Sequence, residues 1–485
     1  MINELRFGNL KSFAKNDKIE CAPITILMGE NSQGKSSIIQ AALLLKQNID
    51  VSRPLFEEYS QFDFTGPSID LGSFGAAINN HDPERILNLG FTFKHSDRKP
   101  FRNRASNPLL GQTINIDIGI RAGENGRGEA SSYRLGFSSY SIMLKLGTKN
   151  NAIGIFPESP RDVSQLLEIW REARSRSDES LEVLKKLDEA DFGWMKTWLA
   201  KTPMNGGFIT PCWDPEEITA RRPGRPIGGR LDRPRRVALE RFVFDWNIWA
   251  SILDSEISNE WRRTKNIAAL RRSPDRLMLD TGGHFNALGP AGEGLVRILA
   301  NESDTLDRLN ESIASMGIAY RIGVTNSTLG TRGQDLGEVS VLSLVDTASN
   351  TVLTLADVGV GISQVIPVLM HALVSSSTLL LMEQPELHLH PRLQAELADV
   401  LIESTRRDNR LVIETHSEHL LARLQRRMRE GALDPDDVRL YYIANNGSDG
   451  AVAQRINFTK DGEMIEAWPA GFFDEQFEDL FGGWR

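Results

Sequence analysis

Near the amino end, residues Gly29 to Ser36 read GENSQGKS and follow the pattern G-x-x-x-x-G-K-[ST]. The glycines of such a loop let backbone N–H groups approach phosphate oxygens, the lysine reaches the outer phosphates, and the final hydroxyl is a ligand for Mg²⁺. An apolar stretch, Ile24 to Met28, precedes the loop, and helical spacing follows it from Ser36 to Lys46. We therefore predict a strand, a phosphate loop and a helix that together bind a nucleoside triphosphate. The residues expected to contact the nucleotide are Gly29, Asn31, Gly34, Lys35, Ser36 and Ser37, with Ser36 also at the metal.

A second segment whose residues could take part in chemistry is TLLLMEQPELHLHP, in which four apolar residues lead into Glu383. A buried strand that ends in a carboxylate places it at the carboxyl edge of a parallel sheet, where the Mg²⁺ of a nucleotide would lie. Glu383 is therefore a predicted metal ligand. The following Gln384 can orient a water molecule but cannot accept its proton, so Glu386 is the predicted water-activating carboxylate.

A third apolar strand, in RLVIETHSEHLL, is followed by Thr415 and His416. A lone histidine after a strand is commonly structural. Because a phosphate loop and a strand-terminal acid precede it in this chain, we expect His416 to sense the γ-phosphate.

Between these motifs, ADVGVGISQVIPVLMHAL contains Gly361 and Ser363 before a helix that we expect to begin near Gln364. A glycine-rich turn, a serine and a helix N-terminus form a second anion-binding site. One nucleotide does not need two such sites from one chain. We therefore predict that Gly361 and Ser363 contact the γ-phosphate of a nucleotide held by a second copy, so that ATP is sandwiched in a homodimer or higher oligomer.

The chain has 485 residues, of which 40% are hydrophobic and 25% charged, which predicts a globular protein with a large core. The 56 basic and 65 acidic residues leave a formal net charge of −9. This balance argues against a protein that coats nucleic acid over its whole surface. The two cysteines, Cys21 and Cys212, lie far apart, so neither a disulfide framework nor a cysteine-rich zinc site is expected.

The first residues lack the basic and apolar regions of a signal peptide. The longest apolar stretch, Val365 to Met382, is interrupted by Pro367, His371 and a run of serines. It predicts a buried helix and a buried strand rather than a membrane span. A cytoplasmic protein without membrane contact is expected.

Alternating strands up to about residue 150 indicate antiparallel sheet, and the charged pattern from Ser159 to Lys201 indicates helices. A proline- and arginine-rich passage, RRPGRPIGGRLDRPRR, follows. Its prolines and glycines argue against a regular helix. Two interpretations stay open: a loop whose arginines are solvated, or a site that contacts the phosphates of nucleic acid or a partner. Its arginines are Arg221, Arg222, Arg225, Arg230, Arg233, Arg235 and Arg236.

Taken in order, FGNLKSF, ITILMGENSQGKSS, DVGVGISQVIPV, LLLMEQPELHLHP and ETHSEHLL resemble the motifs of ATP-binding-cassette (ABC) ATPase heads of the SMC, RecF and OLD class. With the WPAGFFDE stretch at Trp468 to Glu475, the chain is most similar to prokaryotic AAA-family ATPases of the AAA_15 and AAA_21 type. The resemblance implies an α/β fold: a mixed sheet around a P-loop core plus an antiparallel β subdomain, here with a helical insertion. The implied segments are 1–155 and 266–445 for the two lobes of the head, 156–265 for the helical and arginine-rich insertion, and 446–485 for the tail.

The same resemblance implies Mg-ATP as cofactor, nucleotide-driven dimerisation and a role in DNA maintenance or antiphage defence beside a nuclease. It places LHLHP, with His388 and His390, at the partner subunit. Transporter-type heads carry a catalytic glutamate where this chain has Gln384, so hydrolysis should be slow unless Glu386 serves.

Our leading hypothesis is an ATPase whose ATP-dependent closure controls a bound nuclease or nucleic acid in antiphage defence. The stretch after Tyr442 is too short for the nuclease domain of OLD-type proteins, so any cleavage is expected from a partner protein. The alternatives are a scaffold or sensor locked by ATP with little turnover, and a DNA repair ATPase similar to RecF. The GVGISQ motif and the long insertion argue against the ATPase of a membrane transporter.

Overall fold

The computed structural model describes most of the chain, with gaps. The described residues are 1–49, 61–95, 111–137, 140–149, 152–158, 160–175, 193, 195–196, 199, 204–205, 212–213, 233–271, 279–280, 288–331, 334–447 and 450–466.

Two compact units make up the chain. The first comprises Met1–Ile19, Gln40–Arg262 and Ser448–Gly450, and the second comprises Glu20–Ile39, Arg263–Gly447 and Ala451–Arg485. The predicted division into four segments stays a prediction.

The strands, in chain order, are β1 (Ile2–Gly8), β2 (Asp17–Glu20), β3 (Ile24–Met28), β4 (Gln61–Phe62), β5 (Leu87–Lys94), β6 (Thr113–Ala122), β7 (Gly128–Phe137), β8 (Tyr140–Lys149), β9 (Ala152–Pro157), β10 (Met204–Asn205), β11 (Cys212–Trp213), β12 (Lys265–Ile267), β13 (Leu279–Asp280), β14 (Tyr320–Thr331), β15 (Gln334–Asp346), β16 (Val352–Leu353), β17 (Leu379–Glu383), β18 (Arg410–Glu414), β19 (Val438–Asn445) and β20 (Ala451–Ile456). The α-helices are α1 (Lys35–Ile49), α2 (Phe74–Ala77), α3 (Pro160–Ser175), α4 (Arg233–Arg263), α5 (Leu295–Asn301), α6 (Ser303–Ser315), α7 (Val360–Val374), α8 (Pro391–Thr405) and α9 (Glu418–Arg429).

The first unit is built on an antiparallel sheet with the strand order β11-β10-β9-β8-β7-β6-β5-β1-β2 and with β4 beside β7. Isoleucines 114, 116, 118 and 120 alternate along β6 and are all buried, while Asn115 and Asp117 between them are partly exposed. This period of two gives the sheet one apolar face and one polar face. The predicted antiparallel sheet is confirmed.

Helices α3 and α4 also belong to the first unit. Helix α3 lies within the stretch from Ser159 to Lys201 whose charged pattern predicts helices. The arginine-rich passage differs in part from its prediction, because α4 begins at Arg233 and its last four residues are therefore helical. Pro234 is tolerated there, since the N–H groups of a first turn have no partner within the helix. The rest of that passage and the WPAGFFDE stretch lie outside the described residues.

The second unit contains a six-stranded sheet with the order β12-β17-β18-β3-β19-β20. Its neighbouring strands are parallel except for β19 and β20. All five residues of β3 and the first four of β17 are buried, as expected for strands covered on both faces. A smaller sheet is formed by β13, β14, β15 and β16 in antiparallel pairs. The predicted α/β class, with a mixed sheet around the phosphate loop and separate antiparallel sheet, is confirmed.

The apolar stretch from Val365 to Met382 contributes to α7 and β17, and most of its apolar side chains are buried. In the part of the chain that the structure describes, no helix is both long enough and apolar enough to cross a membrane.

Candidate nucleotide-binding site

Three parallel strands of the second unit end at one edge of the six-stranded sheet and bring the predicted motifs together. Strand β3 leads into the phosphate loop, β17 ends at Glu383 and β18 ends at Glu414. Glu383 lies opposite Glu414 in the register of β17 and β18, and Glu414 lies opposite Leu27 in the register of β18 and β3. Ligands of open α/β sheets bind at such carboxyl edges.

The backbone conformation of the phosphate loop explains why positions 29 and 34 are glycines. Gly29 and Gly34 have φ angles of 143° and 113°, which residues with a Cβ rarely adopt. A Cβ added to Gly29 would lie 2.3 Å from the carbonyl oxygen of Ile443 on β19. The loop therefore packs against the sheet at a distance that only glycine allows.

Lys35 begins helix α1 and is 3% exposed. Its Nζ donates to the carbonyl oxygens of Gly29 at 2.9 Å and Glu30 at 2.5 Å. Burial lowers the pKa of Lys35, and the charges of Glu414 and Glu30 oppose that shift. A lysine so held would exchange the two carbonyls for phosphate oxygens when an anion enters the loop.

The remaining predicted residues of the loop occupy different environments. Asn31 is exposed, and Ser37 is buried in the first turn of α1, where its N–H donates to the carbonyl oxygen of Gly34 at 3.0 Å. Ser36 is partly exposed, and its hydroxyl donates to Oε1 of Glu414 at 3.0 Å. Their contacts with a nucleotide stay a prediction.

Glu414 is a candidate site residue that the sequence motifs do not single out. Its side chain is 5% exposed, and its Oε2 has no hydrogen-bond partner in the described part of the chain. Burial raises its pKa, the Ser36 hydroxyl and Lys35 lower it, and the charge of Glu386 raises it further. A signal was present in RLVIE, which ends an apolar strand in a carboxylate just as LLLME does at Glu383.

Glu383 has a pKa raised to about 6, first by burial and then by the neighbouring charge of Glu414. The N–H of Ala269 and the guanidinium of Arg271 act in the opposite direction. The negative charges of Glu383 and Glu414 repel each other and make ionisation less favourable. A divalent cation at this edge would offset that repulsion.

The loop after β17 positions Gln384 and Glu386. Gln384 has a left-handed φ of 44°, and its N–H donates to the carbonyl oxygen of Glu414 at 2.8 Å. Glu386 is 6% exposed, its Oε1 accepts from the N–H of His416 at 2.9 Å, and burial raises its pKa. Its Oε2 is buried without a hydrogen-bond partner among the described residues. The structure thus joins Glu386 to the segment that carries His416.

His416 itself is half-buried at the end of the loop after β18. Burial lowers the pKa of its imidazole, and the charge of Lys35 adds to this effect. His416 is therefore neutral near pH 7 and can donate or accept a hydrogen bond from either ring nitrogen.

Helix α7 begins at Val360, which corrects the expected start near Gln364. Gly361 and Ser363 consequently lie in its first turn and not in a preceding turn, because Gly359 ends the irregular segment and serves as the N-cap. Ser363 is 7% exposed and its hydroxyl donates to the carbonyl oxygen of Val360 at 2.7 Å. A Cβ on Gly361 would lie 2.5 Å from the carbonyl oxygen of His388, so glycine lets α7 approach the LHLHP loop.

A magnesium nucleotide fits these residues. Buried carboxylate oxygens of Glu386 and Glu414 have no hydrogen-bond partner among the described residues and are therefore able to accept from water or to ligate a cation. No cluster of three or more His, Cys, Asp and Glu residues with metal-binding geometry occurs in the described ranges.

Comparisons with known proteins give two family matches. Residues 241–422 match the family described as "AAA domain, putative AbiEii toxin, Type IV TA system", and residues 433–481 match a family of proteins of unknown function, DUF3696. No curated relative is detectably similar in sequence.

Three solved structures of SMC heads are similar to the chain at low identity. A head bound to the C-terminal winged-helix domain of ScpA has 12% identity and a TM-score of 0.40, covering 94% of this chain and 98% of that chain. A head with an extended coiled coil, bound to the C-terminal domain of ScpA derived from Pyrococcus furiosus, has 12% identity and a TM-score of 0.39, covering 100% and 99%. The head from Thermotoga maritima has 11% identity and a TM-score of 0.36, covering 93% and 98%.

The first family match includes the predicted motifs from Gly361 to His416, and the second begins at residue 433 and includes most of the predicted tail. The predicted resemblance is thereby confirmed: residues 241–422 are similar to the AAA domain of the AbiEii-type family, and residues 433–481 are similar to DUF3696.

Proposed function

We propose that this protein is an ATPase that binds Mg-ATP at the phosphate loop of its second unit. The observation that carries the proposal is the meeting of the loop, Glu383 and Glu414 at one edge of the sheet, with Ser36 bonded to Glu414. Ser36, Glu383 and Glu414 would hold the Mg²⁺, which neutralises charge on the phosphate oxygens when bound.

The chain's own groups have distinct roles in hydrolysis. Lys35 neutralises the outer phosphates after releasing the carbonyls of its loop. Gln384 orients the attacking water, and Glu386, whose pKa is raised by burial, accepts its proton. His416 donates a hydrogen bond to the γ-phosphate.

We further propose that ATP closes a homodimer in which Gly361 and Ser363 of one copy face the γ-phosphate bound by the other. Support comes from the position of both residues in the first turn of α7, because the N-terminus of a helix carries partial positive charge that attracts anions. Closure would control a nuclease partner or nucleic acid in antiphage defence, in line with the toxin–antitoxin description of the matching family. A DNA repair ATPase similar to RecF is the alternative biological setting.

The test of the core proposal is ATP turnover and ATP-dependent dimerisation of purified wild-type and Lys35→Ala protein. Lys35→Ala should abolish both, because it removes the cation that lies in the phosphate loop. Lys18→Ala is the matched control, since Lys18 is 64% exposed and pairs with Glu4 in the first unit. Undiminished turnover in Lys35→Ala would refute the proposal.

A second candidate function is a scaffold or sensor that holds ATP with little turnover. It is favoured by the neutral Gln384 and by the hydrogen bond that occupies Oε1 of Glu386. Single-turnover phosphate release decides between the two functions. An ATPase should lose at least tenfold in rate on Glu386→Gln, whereas a scaffold should release little phosphate with either residue and still dimerise with ATP.

A further inference from the structure

Arg271 is a buried arginine that neither the sequence motifs nor the proposed chemistry uses. It follows β12 at the site's edge of the sheet and is 6% exposed. Burial lowers its pKa to about 10, and the charges of Glu386 and Glu383 oppose this shift, so Arg271 is protonated at neutral pH. A buried cation is costly unless it is compensated, which makes its contacts informative.

Those contacts join two elements of the site. Nη1 of Arg271 donates to the carbonyl oxygen of Gln364 in α7 at 3.2 Å. Nη2 donates to the carbonyl oxygens of Glu383 at 3.3 Å and Gln384 at 3.0 Å, at the end of β17. One planar guanidinium therefore holds the first turns of α7 and the loop that carries Gln384 in a fixed relation.

The two elements need such a link. Gln384 has a left-handed backbone that an unsupported glutamine would leave. Gln364 directly follows Ser363, so any movement of that turn of α7 is transmitted to the guanidinium. The Nε of Arg271 and the Oε2 of Glu386 are both buried without a hydrogen-bond partner among the described residues.

We infer that Arg271 is a positioning residue that couples the serine-bearing turn of α7 to the water-activating loop of the same chain. The inference rests on the proposed function. In an ATP-closed dimer, Ser363 contacts the partner's nucleotide while Gln384 and Glu386 serve the chain's own nucleotide. Arg271 thus lets each ATP site respond to occupation of the other, and the two sites should hydrolyse cooperatively.

The experiment compares wild type with Arg271→Met, which removes the donors, and Arg271→Lys, which keeps the charge but cannot span both elements. Arg308→Met is the matched control, because Arg308 donates to the carbonyl oxygen of Leu373 at 2.6 Å at the opposite end of α7. For each protein, the measurements are the affinity for a fluorescent ATP analogue, the kcat, the Hill coefficient for ATP and the thermal unfolding curve.

We expect a Hill coefficient above 1 for wild type and Arg308→Met. Arg271→Met should bind the analogue within twofold of wild type, lose at least tenfold in kcat and show a Hill coefficient of 1. Arg271→Lys should also show a Hill coefficient of 1. If Arg271→Met does not fold, Arg271→Lys alone tests whether Arg271 couples the two sites.

A wild type without turnover or dimerisation would refute the proposed function itself. An active wild type whose Hill coefficient is already 1 would overturn the coupling alone. The same follows if either Arg271 variant keeps the wild-type kcat and cooperativity.

Discussion

Replacing Glu383 with glutamine should stabilise the nucleotide-free protein at pH 8 while removing its response to Mg-ATP. Burial and the charge of Glu414 raise the pKa of Glu383 from 4.5 to about 6. The folded protein therefore binds this proton more tightly than the unfolded chain does, and ionisation of Glu383 destabilises the fold.

The size of this effect follows from the shift. A change from 4.5 to about 6 is a difference of about 1.5 pH units, which corresponds to about 2 kcal/mol in the free energy of unfolding. The penalty is fully present above the folded pKa and disappears below the unfolded pKa. Glu383→Gln removes it, because glutamine keeps an oxygen that can accept the Ala269 N–H but carries no charge.

Urea unfolding in EDTA at a series of pH values measures the prediction. At pH 8 the variant should be more stable than wild type by about 2 kcal/mol, and the difference should vanish as the pH falls through 6 toward 4.5. Glu463→Gln, which changes an exposed glutamate of the same unit, is the control and should leave the curve unchanged. With Mg-ATP the order should reverse, because only wild type gains stability from the metal. A variant no more stable than wild type at pH 8, or a difference that persists unchanged at pH 4.5, would show that ionisation of Glu383 does not destabilise the fold.

Three further predictions concern the same site and the arginine passage. Ser36→Ala removes the hydroxyl that donates to Glu414 and should raise the Mg²⁺ concentration for half-maximal turnover at least tenfold, whereas an unchanged magnesium titration would contradict its role as a ligand. Gly361→Ala places a Cβ 2.5 Å from the carbonyl oxygen of His388, and it should abolish ATP-dependent dimers, measured by light scattering, without weakening binding of the ATP analogue; intact dimers would argue against this turn as the interface. Replacement of Arg221, Arg222, Arg225 and Arg230 by serine should weaken salt-sensitive DNA or RNA binding if the passage contacts phosphates, and equal binding before and after replacement would leave the solvated-loop interpretation.

The parts of the fold and site that could be predicted have local signals. The phosphate loop, the strand before it and Glu383 are each marked by a short run of residue types, because strand burial and phosphate contact impose composition directly. The predicted start of α7 lies four residues after the observed one, because Gly359 and Gly361 in alternation with valine are compatible with both an irregular turn and a first helical turn. Arg271 could not be found in this way: its acceptors, Gln364 and Gln384, lie 93 and 113 residues away along the chain, and no local pattern encodes such a contact.

The strand order of the six-stranded sheet has a consequence for synthesis of the chain on the ribosome. Strand β3 is made first, yet both its neighbours, β18 and β19, come from residues after Arg410. Until those residues have left the exit tunnel, the four apolar residues of β3 have no neighbouring strands to pair with and the phosphate loop has no sheet to pack against. Such long-range pairing makes folding slow and exposes apolar segments to aggregation. A nascent chain should therefore depend on chaperones for most of its translation and acquire nucleotide only near its completion.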